Sequence, residues 1–397
     1  MAKTLVYQMY PISWEKQGGL VAMTEHLKRV KALDADYVWL SPLFPSPRHD
    51  GGYDISDFLN VDGQIGTLDE LDDFIQTAHR YGIGVLFDLT LNHTSTEHEW
   101  FEKHPEYYCW SKSERGDWKN LFDQGSCWTF VPEKEQYYLH LFHKNQADLN
   151  WFPGGELNQA LVHEFRDIVK YWKDFDIDGF RLDIPQAINK DFKRRSLELS
   201  DLLFGDQAID VINAVFNGYN DLFLIMECMD PTHGELIDYY ANSTPVNFVL
   251  NMLIKDEIRT APHEDKDNIV MDAVINSNLM LDLESHDSPR MVSDEIPWSD
   301  VIWWMFSTGA EGLCLYQGQE LGLKNPGKHK MPNKKMLSLD AQTAMRYYKG
   351  EDLNELRPLS RANARIPIPL DEYEFQEHSD KSCLALTRAW VKKWRNI

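Results

Sequence analysis

Eight short apolar runs rich in β-forming residues recur along the 397-residue chain and alternate with segments of helical periodicity. Near-continuous apolar strands that alternate with helices indicate a parallel sheet covered on both faces. Eight such repeats favour an α/β fold of the TIM (β/α)8 barrel type over an open doubly wound sheet. The predicted strands are Thr4–Ile12, Tyr37–Leu43, Gly84–Leu89, Gly179–Ile184, Leu222–Glu227, Val246–Leu250, Leu279–Leu283 and Gly312–Tyr316.

Segments between and after these strands carry helix signals. Thr67 followed by Glu70 predicts a capping box at the start of a helix whose apolar face includes Leu71. The stretch Cys383–Ile397 is predicted to form a final amphipathic helix.

One long stretch breaks the alternation. Residues 94–155 are loop-like and rich in Trp and Tyr, and they follow the third predicted strand. We interpret them as a small inserted domain between strand three and helix three, with residues 1–93 and 156–397 forming the catalytic barrel. A long insertion at the C-terminal end of a barrel strand usually helps to build the active site.

Charge and cysteine content restrict the partners and the compartment. With 40 Lys and Arg against 63 Asp and Glu, the formal charge is −23, which disfavours binding to nucleic acid and to anionic membranes. No apolar run reaches the length of a membrane span, and the N-terminus shows no apolar signal segment. Five widely spaced cysteines without a CxxC pair argue against a disulfide framework. We therefore expect a cytoplasmic protein, with a homo-oligomer possible.

Polar side chains cluster where the predicted strands end. The C-terminal ends of barrel strands carry the chemistry in TIM barrels. A single Asp at such a position is commonly a helix cap, but acids on consecutive strand ends predict a site. The residues concerned are Tyr53, Asp54, Asp88, Asn92, His93, Arg181, Asp183, Glu227, His286, Asp287 and Arg290.

Three of these acids fit the cleavage of a glycosidic bond, which needs one carboxyl group to protonate the leaving oxygen and a second to attack or to activate water. Asp183 stands two residues after Arg181, whose charge should lower the pKa of its carboxyl and keep it ionised as a nucleophile. Glu227 follows an apolar run that should raise its pKa, as an acid/base catalyst requires. Asp287 could hold sugar hydroxyls and stabilise the oxocarbenium-like transition state.

Four segments in this order resemble the signature regions of glycoside hydrolase family 13, the α-amylase family: D-L-T-L-N-H at 88–93, G-F-R-L-D at 179–183, Glu227, and S-H-D at 285–287. The resemblance covers about the whole chain. It implies that Asp183 is the nucleophile, Glu227 the acid/base and Asp287 the transition-state stabiliser. It also implies a glycone subsite lined by Tyr53, Asp54, His93, Arg181 and His286, and no cofactor.

Two further segments resemble the oligo-1,6-glucosidase group of that family: Q-A-D-L-N-W at 146–151 and S-R-A-N-A-R-I-P at 360–367. The resemblance implies that Arg365 binds substrate and pairs with Asp54 to close the pocket. Arg361 is a weaker candidate for that role. A branched residue after the nucleophile is associated with α-1,6 linkages in the group, so Ile184 favours isomaltose-type substrates.

The chain also departs from the family pattern. The loop at residues 15–20 has too few oxygen ligands for the calcium site common in the group, so we expect no metal there. The all-β C-terminal domain of the family is apparently absent, which indicates a natural short form or a truncated chain.

The preferred function is therefore that of a retaining, exo-acting α-glucosidase for short oligosaccharides or disaccharides. A glucosyl-transferring relative (a sucrose isomerase, transglucosidase or phosphorylase) would share the same three acids. A trehalose-6-phosphate hydrolase would need cations for the phosphate, which Lys324 and four later lysines could supply. A non-catalytic binding protein is disfavoured because all three acids are present.

Overall fold

The computed structural model describes residues 3–114, 117–122, 125–194, 196–197, 199–232, 234–293, 295–324, 364–365 and 381–396. Eight of its strands form one parallel sheet. They are β1 (Thr4–Met9), β2 (Tyr37–Leu40), β3 (Gly84–Thr90), β4 (Gly179–Asp183), β5 (Phe223–Cys228), β6 (Phe248–Asn251), β7 (Met280–Asp282) and β8 (Gly312–Tyr316).

These strands follow one another around a closed barrel. Each strand from β1 to β6 is parallel to the next, and β7 pairs with β8. The last strand returns to the first, with Thr4 opposite Gly312, and a bridge from Val249 to Leu279 links the β6 and β7 edges. The predicted TIM barrel is confirmed, and each predicted strand overlaps its observed counterpart.

Helices cover the outside of the barrel. The capping box at Thr67 and Glu70 is confirmed, with both reciprocal hydrogen bonds present. The α-helices are Leu20–Ala32, Leu68–Arg80, Glu99–Lys103, Gln159–Asp174, Leu199–Leu203, Asp206–Phe216, Glu235–Ser243, Met252–Thr260, His263–Ala273, Trp298–Ser307 and Lys381–Arg395. Short 3-10 helices span Pro11–Gln17, Pro105–Tyr107, Pro132–Lys134, Pro153–Gly155, Pro185–Ile188 and Gln319–Leu321.

An apolar plug fills the barrel interior. It is built from inward-facing residues of seven strands: Val6, Trp39, Leu86, Ile225, Phe248, Leu250, Met280 and Cys314. Because side chains alternate along a strand, residues two positions further on face the same interior. Those positions carry Gln8, Ser41, Asp88, Glu227 and Asp282. A polar layer therefore lies directly above the plug, at the C-terminal ends of the strands.

The segment after β3 forms two small antiparallel sheets. His93–Ser95 pairs with Gln146–Asp148. Gln136–Leu139 lies between Trp110–Ser111 and Trp128–Val131. An apolar cluster from this segment packs against Ile184 at the end of β4, so the segment adjoins the rim of the barrel where the polar layer opens.

The predicted final helix is confirmed as Lys381–Arg395. Its Trp394 indole donates to the carbonyl of Ala310, while Arg395 donates to the carbonyl of Lys3 and to Asp36. The helix therefore binds the chain segments that lead into β8, β1 and β2, at the N-terminal end of the barrel. No helix within the described ranges is long and apolar enough to cross a membrane. Most of 360–367, including Arg361, and the four lysines after Lys324 lie outside the described residues, as do the positions that bear on a C-terminal β domain.

Candidate active site

Arg181, on β4, is the centre of the polar layer. Its Nη1 donates to Asp88 Oδ1 at 2.7 Å and to Asp183 Oδ1 at 2.8 Å, and its Nη2 forms an ion pair with Glu227 Oε2. The guanidinium is 1% exposed, so solvent screens these interactions weakly. Two predicted catalytic acids are thus held by neighbouring nitrogens of one buried cation.

His286 joins this cluster from the loop after β7. Gln8 Nε2 lies 2.8 Å from His286 Nδ1, so Nδ1 accepts and the ring proton is carried by Nε2. That Nε2 lies 2.6 Å from the hydroxyl oxygen of Tyr53 and 2.6 Å from Asp287 Oδ2. The Tyr53 hydroxyl in turn donates to Asp88 at 2.9 Å. A continuous hydrogen-bond chain therefore links β1 to the third predicted acid.

Arg365 binds this third acid from the far end of the chain. Its Nη2 donates to Asp287 Oδ1 at 2.8 Å, and its Nε donates to the backbone carbonyl of His286 at 2.8 Å. The guanidinium lies 5.2 Å above the Tyr10 ring. Arg365 therefore fixes Asp287 on one side while His286 fixes it on the other.

The expected pairing of Arg365 with Asp54 is wrong. The Asp54 carboxylate is fully buried and accepts from the Ser46 hydroxyl and from the backbone N–H groups of His49 and Asp50. These bonds satisfy both of its oxygens within its own loop. Asp54 therefore stabilises its own loop at the rim, and Arg365 binds Asp287 instead.

His93 lies on the other side of the site, at the start of the inserted segment. Its Nε2 is 3.3 Å from the carbonyl of Tyr53 and 3.0 Å from Gln146 Nε2. Asn92 Nδ2 faces His93 Nδ1 at 3.2 Å, while Asn92 Oδ1 accepts from Lys190. Lys190 thus fixes the Asn92 amide as a donor to Nδ1 of His93, so the neutral ring carries its proton on Nε2. That proton goes to the Tyr53 carbonyl, whereas the Gln146 amide donates to Asp50.

Burial governs the protonation of the two central acids. It raises the pKa of Glu227, as its apolar strand predicted, against the opposing charge of Arg181. The prediction for Asp183 is wrong in direction: burial and the nearby carboxylates of Glu227, Asp88 and Asp287 raise its pKa well above the usual value, and Arg181 only opposes them. Burial also raises the pKa of Asp88, to about 6. Burial thus favours the protonated form of these carboxyl groups, which is the form that an acid catalyst needs.

Both histidines of the site are neutral. Burial lowers the pKa of His93 to about 3 and that of His286 to about 4. Each ring therefore offers one N–H donor and one acceptor over the neutral range. Such rings can orient sugar hydroxyls without adding charge.

Ile184, directly after Asp183, has an unusual backbone for a β-branched residue, with φ 28°. Its N–H donates to Glu227 Oε2 at 3.1 Å, so the turn supplies a second donor to that carboxylate. The side chain is 8% exposed and packs with residues of the inserted segment. The strained backbone at this point directs the N–H of Ile184 to Glu227 and its branched side chain to the inserted segment.

Sequence reasoning missed several residues of this site. Gln8 and Lys190 received no role, although a polar residue inside an apolar strand such as β1 marks an inward polar position. Lys255 and Asp282, which form a buried ion pair near Glu227, were also missed. In the loop at residues 15–20, the Glu15 carboxylate forms an ion pair with Arg48. The described residues contain no group of three or more His, Cys, Asp or Glu placed to hold a metal ion.

A (β/α)8 barrel with three carboxylates gathered around one arginine at its C-terminal strand ends defines a glycoside hydrolase. The chain belongs to the α-amylase family, whose catalytic domain matches residues 8–382. This confirms the resemblance drawn from the four signature segments.

Relatives of known activity lie in two groups of this family. The chain is 29% identical to the trehalose-6-phosphate hydrolase of Bacillus subtilis, over 94% of its own length and 74% of that protein. It is 35% identical to the oligo-1,6-glucosidase of Bacillus cereus, but over 48% of its own length and about a third (36%) of that protein. The crystal structure of Bacillus licheniformis trehalose-6-phosphate hydrolase aligns with 100% of the chain and 83% of that structure, at a TM-score of 0.84 and 25% identity.

Proposed function

We propose that the protein is a retaining, exo-acting α-glucosidase that hydrolyses short α-glucosides through a glucosyl–Asp183 intermediate. The observation that carries this proposal is the single Arg181 guanidinium shared by Asp183 and Glu227. Carboxylates held by neighbouring nitrogens of one guanidinium fit the separation of about 5 Å used by retaining enzymes better than the wider gap of inverting ones.

Each acid has a distinct role in this proposal. Asp183 attacks the anomeric carbon while Glu227 donates a proton to the leaving oxygen. Water then attacks the same carbon, which breaks the bond to Asp183, and Glu227 takes the proton that the water loses. Asp287, fixed between Arg365 and His286, binds sugar hydroxyls and stabilises the positive charge that develops on the ring. The acid role suits Glu227 because burial raises its pKa.

The glycone subsite is proposed to consist of residues around the acids. Tyr53 and Arg181 form its floor, since both contact Asp88 in the polar layer. His93 and His286 border the subsite with neutral rings and hold Tyr53 and Asp287 in place beside the sugar. Asp54 supports the rim loop from within, and Arg365 closes the subsite over Asp287.

The linkage preference is proposed to depend on Ile184. Its branched side chain projects beside the bond to be cleaved, next to the inserted segment. Isomaltose-type α-1,6 substrates are therefore preferred, in keeping with relatives named oligo-1,6-glucosidase and glucan 1,6-alpha-glucosidase.

Trehalose-6-phosphate hydrolysis is the second candidate because a relative that matches 94% of the chain and a solved structure that matches all of it carry that activity in their names. This reaction requires cations that bind the phosphate group of the substrate. The four later lysines proposed for that role lie outside the described residues, so support comes from the relatives alone. Glucosyl transfer is a third possibility within the same chemistry, since an Erwinia rhapontici isomaltulose synthase shares the fold, at 22% identity and a TM-score of 0.85.

The compartment is also a proposal. Cys109, Cys127, Cys228 and Cys314 are buried and form no disulfide, which suits the reducing cytoplasm.

Time-resolved NMR of the products tests the function directly. Isomaltose, maltose, sucrose and trehalose 6-phosphate are incubated with the enzyme, with and without phosphate, and with Asp183→Asn as the inactive control. An exposed helical carboxylate, changed in Asp174→Asn, serves as the matched control. We expect α-glucose first from isomaltose, no turnover by Asp183→Asn and unchanged turnover by Asp174→Asn. β-Glucose as the first anomer would refute retention, and glucose 1-phosphate would identify a phosphorylase.

A further inference from the structure

Lys255 and Asp282 form an ion pair inside the mouth of the barrel. Lys255 Nζ lies 2.5 Å from Asp282 Oδ2, and the two side chains are 3% and 5% exposed. Lys255 belongs to helix Met252–Thr260, which begins where β6 ends, whereas Asp282 is the last residue of β7. The lysine side chain therefore reaches from the end of β6 to the end of β7, beneath the rim.

The pair occupies the same layer as the acid/base. Met280 and Ile225 both belong to the apolar plug, and Asp282 and Glu227 follow them by two residues on β7 and β5. Both carboxylates therefore face the interior at the C-terminal end of the barrel. Lys255 lies between their strands, because its helix starts at the end of β6.

Stability does not account for this pair. Replacing a buried ion pair with apolar residues of similar volume is often neutral or stabilising. Beyond Asp282, the hydrogen bonds of Lys255 extend to the sulfur of Met252 at 4.0 Å. Burying two charges with so few hydrogen bonds costs desolvation free energy. An electrostatic role therefore explains the pair better than a contribution to stability does.

We propose that the Lys255–Asp282 pair sets the electrostatic potential at Glu227, with Lys255 acting as a positioning residue for the acid/base step. The inference rests on the proposed role of Glu227 and extends it to residues that do not touch substrate. Asp282 fixes the ammonium in place and balances its charge. From this fixed position the Lys255 ammonium lowers the pKa of Glu227 through its charge.

Besides the helix that carries Lys255, three elements supply the charges that face Glu227. Arg181 and Asp183 lie on β4, Asp88 on β3, and Asp287 on the loop after β7. Arg181 is divided among three carboxylates, so a second cation matters. Lys255 lowers the pKa of Glu227 in opposition to burial, and the backbone N–H of Ile184 acts in the same direction.

Variants of the two partners should move the activity profile in opposite directions. Lys255→Met removes the cation, so the pKa of Glu227 rises and the basic limb of kcat/KM moves to higher pH. Asp282→Asn removes the balancing anion. Burial lowers the pKa of Lys255, whereas Glu227 and Asp287 still raise it. The remaining ammonium then acts on Glu227 without a balancing charge, so the basic limb moves to lower pH. Each shift should be about one pH unit.

The experiment measures kcat/KM from pH 4 to 10 on whichever disaccharide the native enzyme cleaves. The double variant Lys255→Met/Asp282→Leu should return the basic limb to within a few tenths of a unit of native, and it guards against a single variant that fails to fold. Lys103→Met, which breaks an exposed ion pair with Glu99, is the matched control and should leave the profile unchanged.

Opposite shifts that cancel in the double variant support the inference. Shifts of the same sign, or lower activity with an unmoved basic limb, overturn it and leave only a packing role. The proposed function fails separately, through loss of retention or survival of activity in Asp183→Asn. If the native enzyme retains configuration while the basic limb of kcat/KM stays at the native pH in these variants, this inference is refuted and the proposed function is not.

Discussion

Arg365 Nη2 and Asp287 Oδ1 are joined by a hydrogen bond of 2.8 Å across 78 residues of sequence. The guanidinium also holds the carbonyl of His286, so a single side chain fixes the loop that carries the third acid. A contact of this kind orients Asp287 before substrate arrives, which lowers the reorganisation needed during the reaction.

Arg365→Met should therefore reduce kcat/KM for the best disaccharide by about 10- to 100-fold, the range expected for a lost charge-assisted hydrogen bond. Arg365→Lys should retain part of the activity, because an ammonium supplies charge but cannot reach both acceptors in the same geometry. Steady-state kinetics measures both effects. Equal activity of the native enzyme and the Met variant would remove Arg365 from the subsite.

Chemical rescue separates the roles of the two central acids. Asp183→Gly should lose about 10⁴-fold in turnover, and azide placed in the vacated space should attack from the same face and yield the β-glucosyl azide. With an activated aryl α-glucoside, Glu227→Gly plus azide should instead yield the α-glucosyl azide, because the Asp183 intermediate still forms. NMR of the products gives the anomeric configuration. The reverse pairing of products would exchange the two assignments.

Gly51 is expected to be required for the position of Arg365. It has φ 59°, and a Cβ there would lie 2.1 Å from Arg365 Nη1. Gly51→Ala should displace the guanidinium and raise KM, besides costing about 1 kcal/mol of stability for the left-handed backbone. Gly154→Ala is the matched control, because its φ is 71° and no atom lies within 4 Å of the added carbon. A KM increase in both variants would point to backbone strain alone.

Ile184→Ala tests the linkage preference. Removing the branched side chain should relieve crowding beside the bond to be cleaved, so the ratio of kcat/KM for maltose to that for isomaltose should rise by about tenfold. Ile184→Val, which remains branched, should keep the native ratio. If the ratio is the same in all three proteins, linkage specificity lies elsewhere in the pocket.

Buried histidines should make stability fall with acid. Burial lowers the pKa of His26 and His93 to about 3, and that of His286 to about 4. A depressed folded pKa favours the native state above the unfolded value of about 6.5, and this stability is lost as pH falls toward the folded value. Urea unfolding from pH 8 to 4 should show that decline. His26→Gln, remote from the acids and bonded to Tyr7, should take up about one proton fewer on unfolding in this window.

The barrel could be predicted from sequence because its strands are apolar and regularly spaced. The hydrophobic effect depends on composition and period, which are visible along the chain. Strand ends were less well defined: the first strand ends at Met9 rather than Ile12, since a 3-10 helix starts at Pro11. The proline has no N–H to continue the ladder.

Contacts within the site between distant segments could not be predicted from the sequence in the same way. The positions of Asp183, Glu227 and Asp287 at strand ends were visible, but the turn of Arg365 toward Asp287 depends on backbone N–H groups that satisfy Asp54. The raised pKa of Asp183 likewise depends on carboxylates from three other segments, whereas its sequence neighbour Arg181 suggested the opposite. The contact of Arg365 and the pKa of Asp183 both depend on which residues are close in the folded structure, and sequence neighbours alone do not show this.

The seam between β8 and β1 has a consequence for how the protein comes to be folded. Lys3 Nζ donates to the carbonyl of Trp394 across 391 positions, and the same helix binds Ala310 at the foot of β8. During synthesis, β1 emerges first and must wait for nearly the whole chain before its second neighbour exists. Closing so long a loop is slow and leaves an unpaired strand edge exposed meanwhile. Nascent chains arrested before residue 381 should therefore be held by chaperones.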